Sequence, residues 1–212
     1  MDKNNPIKTV FFDLGKVLLS FNHEHLVERV LSKSGADGRM KTGLFTFLFD
    51  AADGLCNLYD EGLISSLDFY KSINARFPLN ASYDEFKGLW NNIFTENREV
   101  SALMEKVREK RPVYLLSNVN ELHWEFCRGT FAVLGRMDGW VLSYEVKSKK
   151  PKAPIYRAAL EKAGAGPGES IFIDDMAENT AAAEEMGIKG ITFMGAADLR
   201  ETLRQLEIIQ EP

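Results

Sequence analysis

Three polar clusters close three apolar, strand-like runs in this chain. Asp13 follows Thr9-Val10-Phe11-Phe12, Ser117-Asn118 follows Val113-Tyr114-Leu115-Leu116, and Asp174-Asp175 follows Ser170-Ile171-Phe172-Ile173. Between the second and third clusters stands Lys150, followed by Pro151. In an open α/β sheet ligands bind at the carboxyl ends of the strands, so clusters at three such ends are expected to meet. A carboxylate, a hydroxyl, a lysine and an acidic pair together suit magnesium-assisted phosphoryl transfer, because oxygen donors hold a hard cation and a carboxylate can serve as nucleophile. Singly, each residue has a plainer use: an Asp as a turn or cap, Ser-Asn as a helix start, Lys-Pro as a solvated loop. Their common placement carries the chemical reading.

Elements able to position these groups are legible from about residue 98 onward. Periodicity predicts helices over 98–110, 121–131, 153–163, 177–186 and 196–206, alternating with strands over 113–117, 140–143, 170–174 and 190–193. Such alternation implies a parallel sheet. The stretch between the first strand and Arg98 differs, with helical periodicity over 25–34, 41–51, 66–77 and 82–94. Ser66 and Ser82 suit N-caps, and Phe69-Tyr70-Ile73 and Phe86-Leu89-Trp90-Ile93 read as this insert's own core. The expected fold class is therefore α/β: a Rossmann-like parallel sheet flanked by helices, formed by 1–17 and 98–212, with an inserted α-helical cap over 18–97.

Composition narrows the function. The chain has 212 residues, is 45% hydrophobic and 27% charged, and carries a net charge of −5. Without a dense Lys/Arg block it does not read as a nucleic-acid binder, since phosphate-backbone binding needs clustered cations; the densest basic stretch, 147–152, is short. No apolar run is long enough to span a bilayer, and the opening residues 1–6 are too polar for a signal peptide, so a cytoplasmic location is expected. Cys56 and Cys127 read as unpaired thiols. Oligomeric state is not encoded in any pattern found here.

Residue by residue, the set resembles the haloacid dehalogenase (HAD) superfamily over nearly the whole chain. Phe11-Phe12-Asp13-Leu14-Gly15-Lys16-Val17 is similar to its first motif, Leu115-Leu116-Ser117-Asn118 to its second, Lys150-Pro151 to its third, and Phe172-Ile173-Asp174-Asp175 with Asn179 to its fourth. The Phe-Asp-Leu-Gly opening, Ser-Asn and Lys-Pro-x-x-x-Tyr (Tyr156) resemble in particular the branch containing bacterial α-glucose-1-phosphatases. The resemblance implies a phosphatase of small phosphorylated metabolites, such as sugar phosphates, with Asp13 as nucleophile forming an aspartyl-phosphate. It implies Mg²⁺ held by Asp13, the Gly15 carbonyl and Asp175, with Asp174 acting through a bound water. Ser117 and the backbone N–H of Asn118 would orient phosphate oxygens, Lys150 would offset charge, and Asn179 would position the acidic pair.

One position departs from the family pattern. Most of its phosphatases carry a second aspartate two residues after the nucleophile, as acid and then base; here that residue is Gly15. General acid–base help is typically worth roughly 10² to 10⁴-fold. The expectation is a slow phosphatase whose rate rises as leaving-group pKa falls, with His23 and His25 as candidate substitutes for the acid, and Lys16 either solvated or screening the carboxylates. The alternative is a catalytically weak phosphate-binding or interaction protein of this fold. A haloacid dehalogenase ranks lower, because it has no use for a metal and so none for Asp174-Asp175.

Overall fold

The computed structural model describes residues 6–210; residues 1–5, which bear on the leader reading, and 211–212 lie outside the described residues. Strand β1 (Thr9–Phe12) leads through a tight turn to β2 (Leu19–Ser20), which pairs antiparallel with β3 (Thr95–Glu96). Strands β4 (Val113–Ser117), β5 (Gly139–Leu142), β6 (Ser170–Asp174) and β7 (Lys189–Thr192) join β1 in a five-stranded sheet, all pairs parallel, in the order β5-β4-β1-β6-β7. The chain builds outward from β1 to one side through β4 and β5, then returns to the other side through β6 and β7. Strand β1 is thus the point where the winding reverses, which opens a crevice at its carboxyl end.

Between β2 and β3 lie helices α1 (His23–Val30), α2 (Gly38–Phe49), α3 (Leu55–Asp60), α4 (Ser66–Arg76) and α5 (Tyr83–Asn91). After β3 come α6 (Arg98–Arg108), α7 (Glu121–Thr130), α8 (Ser143–Val146), α9 (Ala153–Ala163), α10 (Ala177–Glu185) and α11 (Ala196–Gln205). Alternation along the strands sends Val10, Phe12, Leu115 and Ile173 to a core shared with α6, α7 and α11, and Phe11, Leu116 and Phe172 to one shared with α9 and α10. Burial on both faces explains why these strands read as unbroken apolar runs.

The helices α1–α5 have a separate apolar cluster, with Leu26, Leu44, Phe69, Phe86 and Trp90 at its centre and Leu122 of α7 joining from the sheet side. The N-cap of α4 is Ser65, whose hydroxyl accepts from Asp68 N, and not Ser66. Ser66 is inside the helix, buried, and bonded to Tyr59 Oη and Glu121. Two adjacent serines offer equivalent caps to a local reading, and a long-range partner decides between them. Ser82 does cap α5, in a reciprocal box with Glu85. Helix α3 and the β2–β3 ribbon had no sequence signal, being too short for any periodicity to register.

Candidate active site

Sheet register brings the sequence-predicted groups together. Phe12 pairs with Leu115 on one side and Ile173 on the other, so Asp13, one step on, stands beside Leu116 and Asp174. The backbone N–H of Asp13 donates to Ile173 O at 2.9 Å. Lys150, buried, spans this junction: its Nζ lies 2.7 Å from Asp13 Oδ1, 2.6 Å from Asp174 Oδ2 and 3.0 Å from Leu116 O, with the Phe172 ring 5.1 Å away. The loop that delivers Lys150 is fixed by Asn118, whose amide accepts from Lys150 N at 2.7 Å and donates to Lys150 O at 3.0 Å. Asn118 therefore has a structural duty that its sequence position did not reveal.

Asp174 is completely enclosed. Its Oδ1 accepts from Met176 N (2.8 Å) and Asn179 Nδ2 (2.9 Å), while Oδ2 faces Lys150. Asn179 is placed in turn by Tyr156, whose hydroxyl donates to its carbonyl at 2.8 Å, which accounts for the tyrosine of the Lys-Pro-x-x-x-Tyr pattern. Asp175 is more open and has the Lys16 ammonium 3.7 Å from Oδ2. Lys16 sits at φ 56° in the turn after Asp13, largely exposed, so it is both a solvated cation and a screen for the carboxylates.

Burial raises the pKa of Asp13, with Asp174 adding to the rise and Lys150 opposing it; burial and Asp174 likewise raise Asp175. The pKa of Lys150 is raised as well: burial opposes its charge, and Asp13 and Asp174 outweigh that. Oxygens of Asp13, Asp174 and Asp175 lie within 4.8 Å of one another. Three carboxylates face two ammonium groups, an excess of negative charge with oxygen donors only. That donor set fits a hard divalent cation such as Mg²⁺.

Beside the cluster is a cavity of about 90 Å³, reached by Gly15, Ser117 and Asn118 from the sheet edge and by Asp60, Phe49 and Trp90 from the inserted helices. Its walls are largely aromatic, with Asp60 as their one carboxyl group. His23 stacks on Phe49 at 4.1 Å and burial lowers its pKa to about 4, with Lys16 adding to the fall. His123 is sandwiched against Trp90 at 5.0 Å and is driven down to about 3 by burial. His25 instead faces a different groove, with Asn22, Arg29 and Asn92.

Asp60, Asn120 and His123 are cavity residues that the sequence reading missed. Their one signal was Asn120 as an N-cap, since its Oδ1 accepts from His123 N at 3.1 Å; nothing local marked Asp60.

A family model for haloacid dehalogenase-like hydrolases matches residues 7–187. The chain is 27% identical to a D-ribitol-5-phosphate phosphatase of Bacteroides thetaiotaomicron, over 93% of this chain and 97% of that protein. It is 24% identical to a sesquiterpene phosphatase of Aspergillus oryzae, over 94% and 96%. Among solved structures it superposes with a TM-score of 0.76 on an enzyme from Bacteroides thetaiotaomicron in complex with magnesium and inorganic phosphate, at 32% identity over 88% of this chain and 93% of that one.

Proposed function

This chain belongs to the haloacid dehalogenase-like hydrolases, and from that membership and its site we propose that it is a Mg²⁺-dependent phosphatase of small phosphorylated metabolites, acting through an aspartyl-phosphate on Asp13. The observation that carries the reading is the Asp13–Lys150–Asp174 cluster, buried and held by bonds of 2.6–2.7 Å, with Asp175 beside it. Asp13, the Gly15 carbonyl and Asp175 would hold the ion, which when bound supplies positive charge against the phosphoryl oxygens. Lys150 keeps Asp13 ionised and offsets charge on the transferring group. Ser117 and the Asn118 N–H orient phosphate oxygens, and Asn179 fixes Asp174. The excess of carboxylates over lysines gives the dehalogenase alternative no support.

In this reading residues 1–17 and 98–212 form the catalytic body and 18–97 a cap that opens and closes over it, excluding water in the closed state. Part of the cap's hold on the body lies at 57–62. Lys147 donates to Gly62 O at 2.6 Å, Lys149 to Asn57, and Lys152 to Glu61. In this reading the short basic stretch of the sequence serves as a latch between cap and body. An aromatic cavity with few polar groups and one carboxyl, Asp60, suits a neutral hydroxylated leaving group, so sugar or polyol phosphates are the substrates we expect, turned over in the cytoplasm. A phosphate-release screen over sugar phosphates, polyol phosphates, nucleotides and phosphorylated acids, with and without Mg²⁺, tests this. Turnover independent of Mg²⁺, or none with any phosphomonoester, would overturn it.

A further inference from the structure

We propose that Asp60, at the end of α3 in the inserted helices, is the catalytic acid–base of this site, protonating the leaving alcohol in place of the residue absent at position 15. The proposal rests on the phosphatase reading and deepens it.

Four observations converge. First, the usual place is filled: a Cβ on Gly15 would lie 2.9 Å from Phe21 Cε1, so the Phe21 ring occupies the space into which a side chain at 15 would project. Second, both histidines of the cavity are unsuited to donate a proton. His23 is neutral and stacked on Phe49, while His123 has Nδ1 at 3.2 Å from Asn120 Nδ2 and Nε2 at 3.2 Å from Trp90 O. The Asn120 amide donates to Nδ1, so Nε2 carries the proton and is spent on the Trp90 carbonyl. Third, Asp60 lines the same cavity of about 90 Å³ as Gly15, Ser117 and Asn118.

Fourth, Asp60 is held in place and poised. Its Oδ1 accepts from Asn120 Nδ2 at 3.0 Å, and its carbonyl accepts from Ser143 Oγ at 2.5 Å. Burial raises its pKa to about 6, opposed by the Asn120 bond and by the Lys149 ammonium. The other groups facing it are Cys56 on its own helix, whose thiol burial keeps protonated, and His123 on α7, kept neutral. A carboxyl near 6 can give a proton and take one back close to neutral pH.

The two half-reactions then balance. An Asp13 oxygen bonds to phosphorus as the bond from phosphorus to the alcohol oxygen breaks, and the Asp60 proton passes to that oxygen. Asp60, now a carboxylate held by Asn120, takes a proton from water as the water oxygen bonds to phosphorus. The bond from phosphorus to Asp13 breaks, and phosphate leaves with Asp13 ionised and Asp60 protonated again.

The test compares the parent with Asp60→Asn, which keeps an oxygen acceptor for Asn120, on two Mg²⁺-loaded reactions. Ribitol 5-phosphate has an alkoxide leaving group that needs a proton, whereas 4-nitrophenyl phosphate has one that does not. The expected result is a fall of about 10²-fold or more in kcat/KM on the polyol phosphate and a much smaller change in kcat/KM on the aryl phosphate, because that ratio covers only the steps up to the aspartyl-phosphate, while kcat falls on both because the hydrolysis they share loses its base. Equal loss of kcat/KM on both substrates in a variant that melts like the parent overturns the proposal, as does no loss on either. A measurement on the parent alone guards against misfolding: rates across aryl and alkyl phosphates should depend only weakly on leaving-group pKa, and a steep dependence overturns the assignment. Parent turnover of the aryl phosphate with that steep dependence leaves the phosphatase reading standing, whereas no turnover of either substrate removes both.

Discussion

The two walls of the cavity are built on opposite principles. The sheet-edge wall concentrates charge: Asp13, Asp174 and Asp175 against Lys150 and Lys16, with Lys150 and Asp174 almost wholly withdrawn from solvent. The other wall, from the inserted helices and the start of α7, is largely aromatic, its two histidines are neutral, and its one carboxyl group is Asp60. Charges desolvated together are strong but unforgiving, because each buried ion depends on its partner. An aromatic wall discriminates by shape and by a few hydrogen bonds, and apart from Asp60 it can change without disabling the chemistry. Phosphoryl transfer needs the first kind of surface and recognition of the leaving group needs the second.

The sharpest way to break this contrast is to disarm the charged wall. Asp13→Asn should cost at least about 10³-fold in aryl phosphate turnover while the protein still folds, because it removes the nucleophile itself. Steady-state rates of a variant that survived this change within tenfold would show the chemistry to lie elsewhere.

Lys150→Met should be felt in stability as well as rate. It leaves Asp13 and Asp174 buried without their shared cation, a loss of about 3–5 kcal/mol for breaking such a set from one side. Chemical denaturation in the presence of a chelator measures it. A variant as stable as the parent would show that the carboxylates are less committed to Lys150 than bonds of 2.6–2.7 Å indicate.

Metal binding divides the acidic pair. Asp175→Ala should weaken Mg²⁺ binding by about 10- to 100-fold, judged by calorimetry, because Asp175 is the more open of the two and Asp174 is already occupied by Lys150, Asn179 and Met176 N. Unchanged affinity would move the metal away from Asp175.

The smallest effect belongs to the aromatic wall. His123 is neutral in the fold, with its pKa lowered from 6.5 to about 3. Below pH 6.5 the unfolded chain takes up a proton that the folded one refuses, so stability falls as the pH drops toward 3 and is insensitive to this group above 6.5. Asp13 and Asp60, both raised by burial, drift in the opposite sense. The useful quantity is therefore the difference between parent and His123→Asn, which should change by about 1.4 kcal/mol between pH 7.5 and 5.5. Parallel curves would mean that His123 titrates normally.

Much of the charged wall was legible from sequence. Each of its groups ends an apolar run or lies in a short motif, and a parallel sheet with β1 at its winding reversal has only one edge at which they can meet. Local pattern and topology agree there, so the pattern suffices. The aromatic wall was not legible. Asp60, Asn120 and His123 come from α3 and α7, and their bonds join residues 60 and 3 positions apart. The cap at Ser65 over Ser66, the Asn118 clasp on Lys150 and the latch at 147–152 were likewise settled across the fold. Periodicity records which face of an element is buried, and a chain of 212 residues carries that in its own order. Which polar groups meet across two separately packed clusters depends on how those clusters dock, and that was decided only by the tertiary structure.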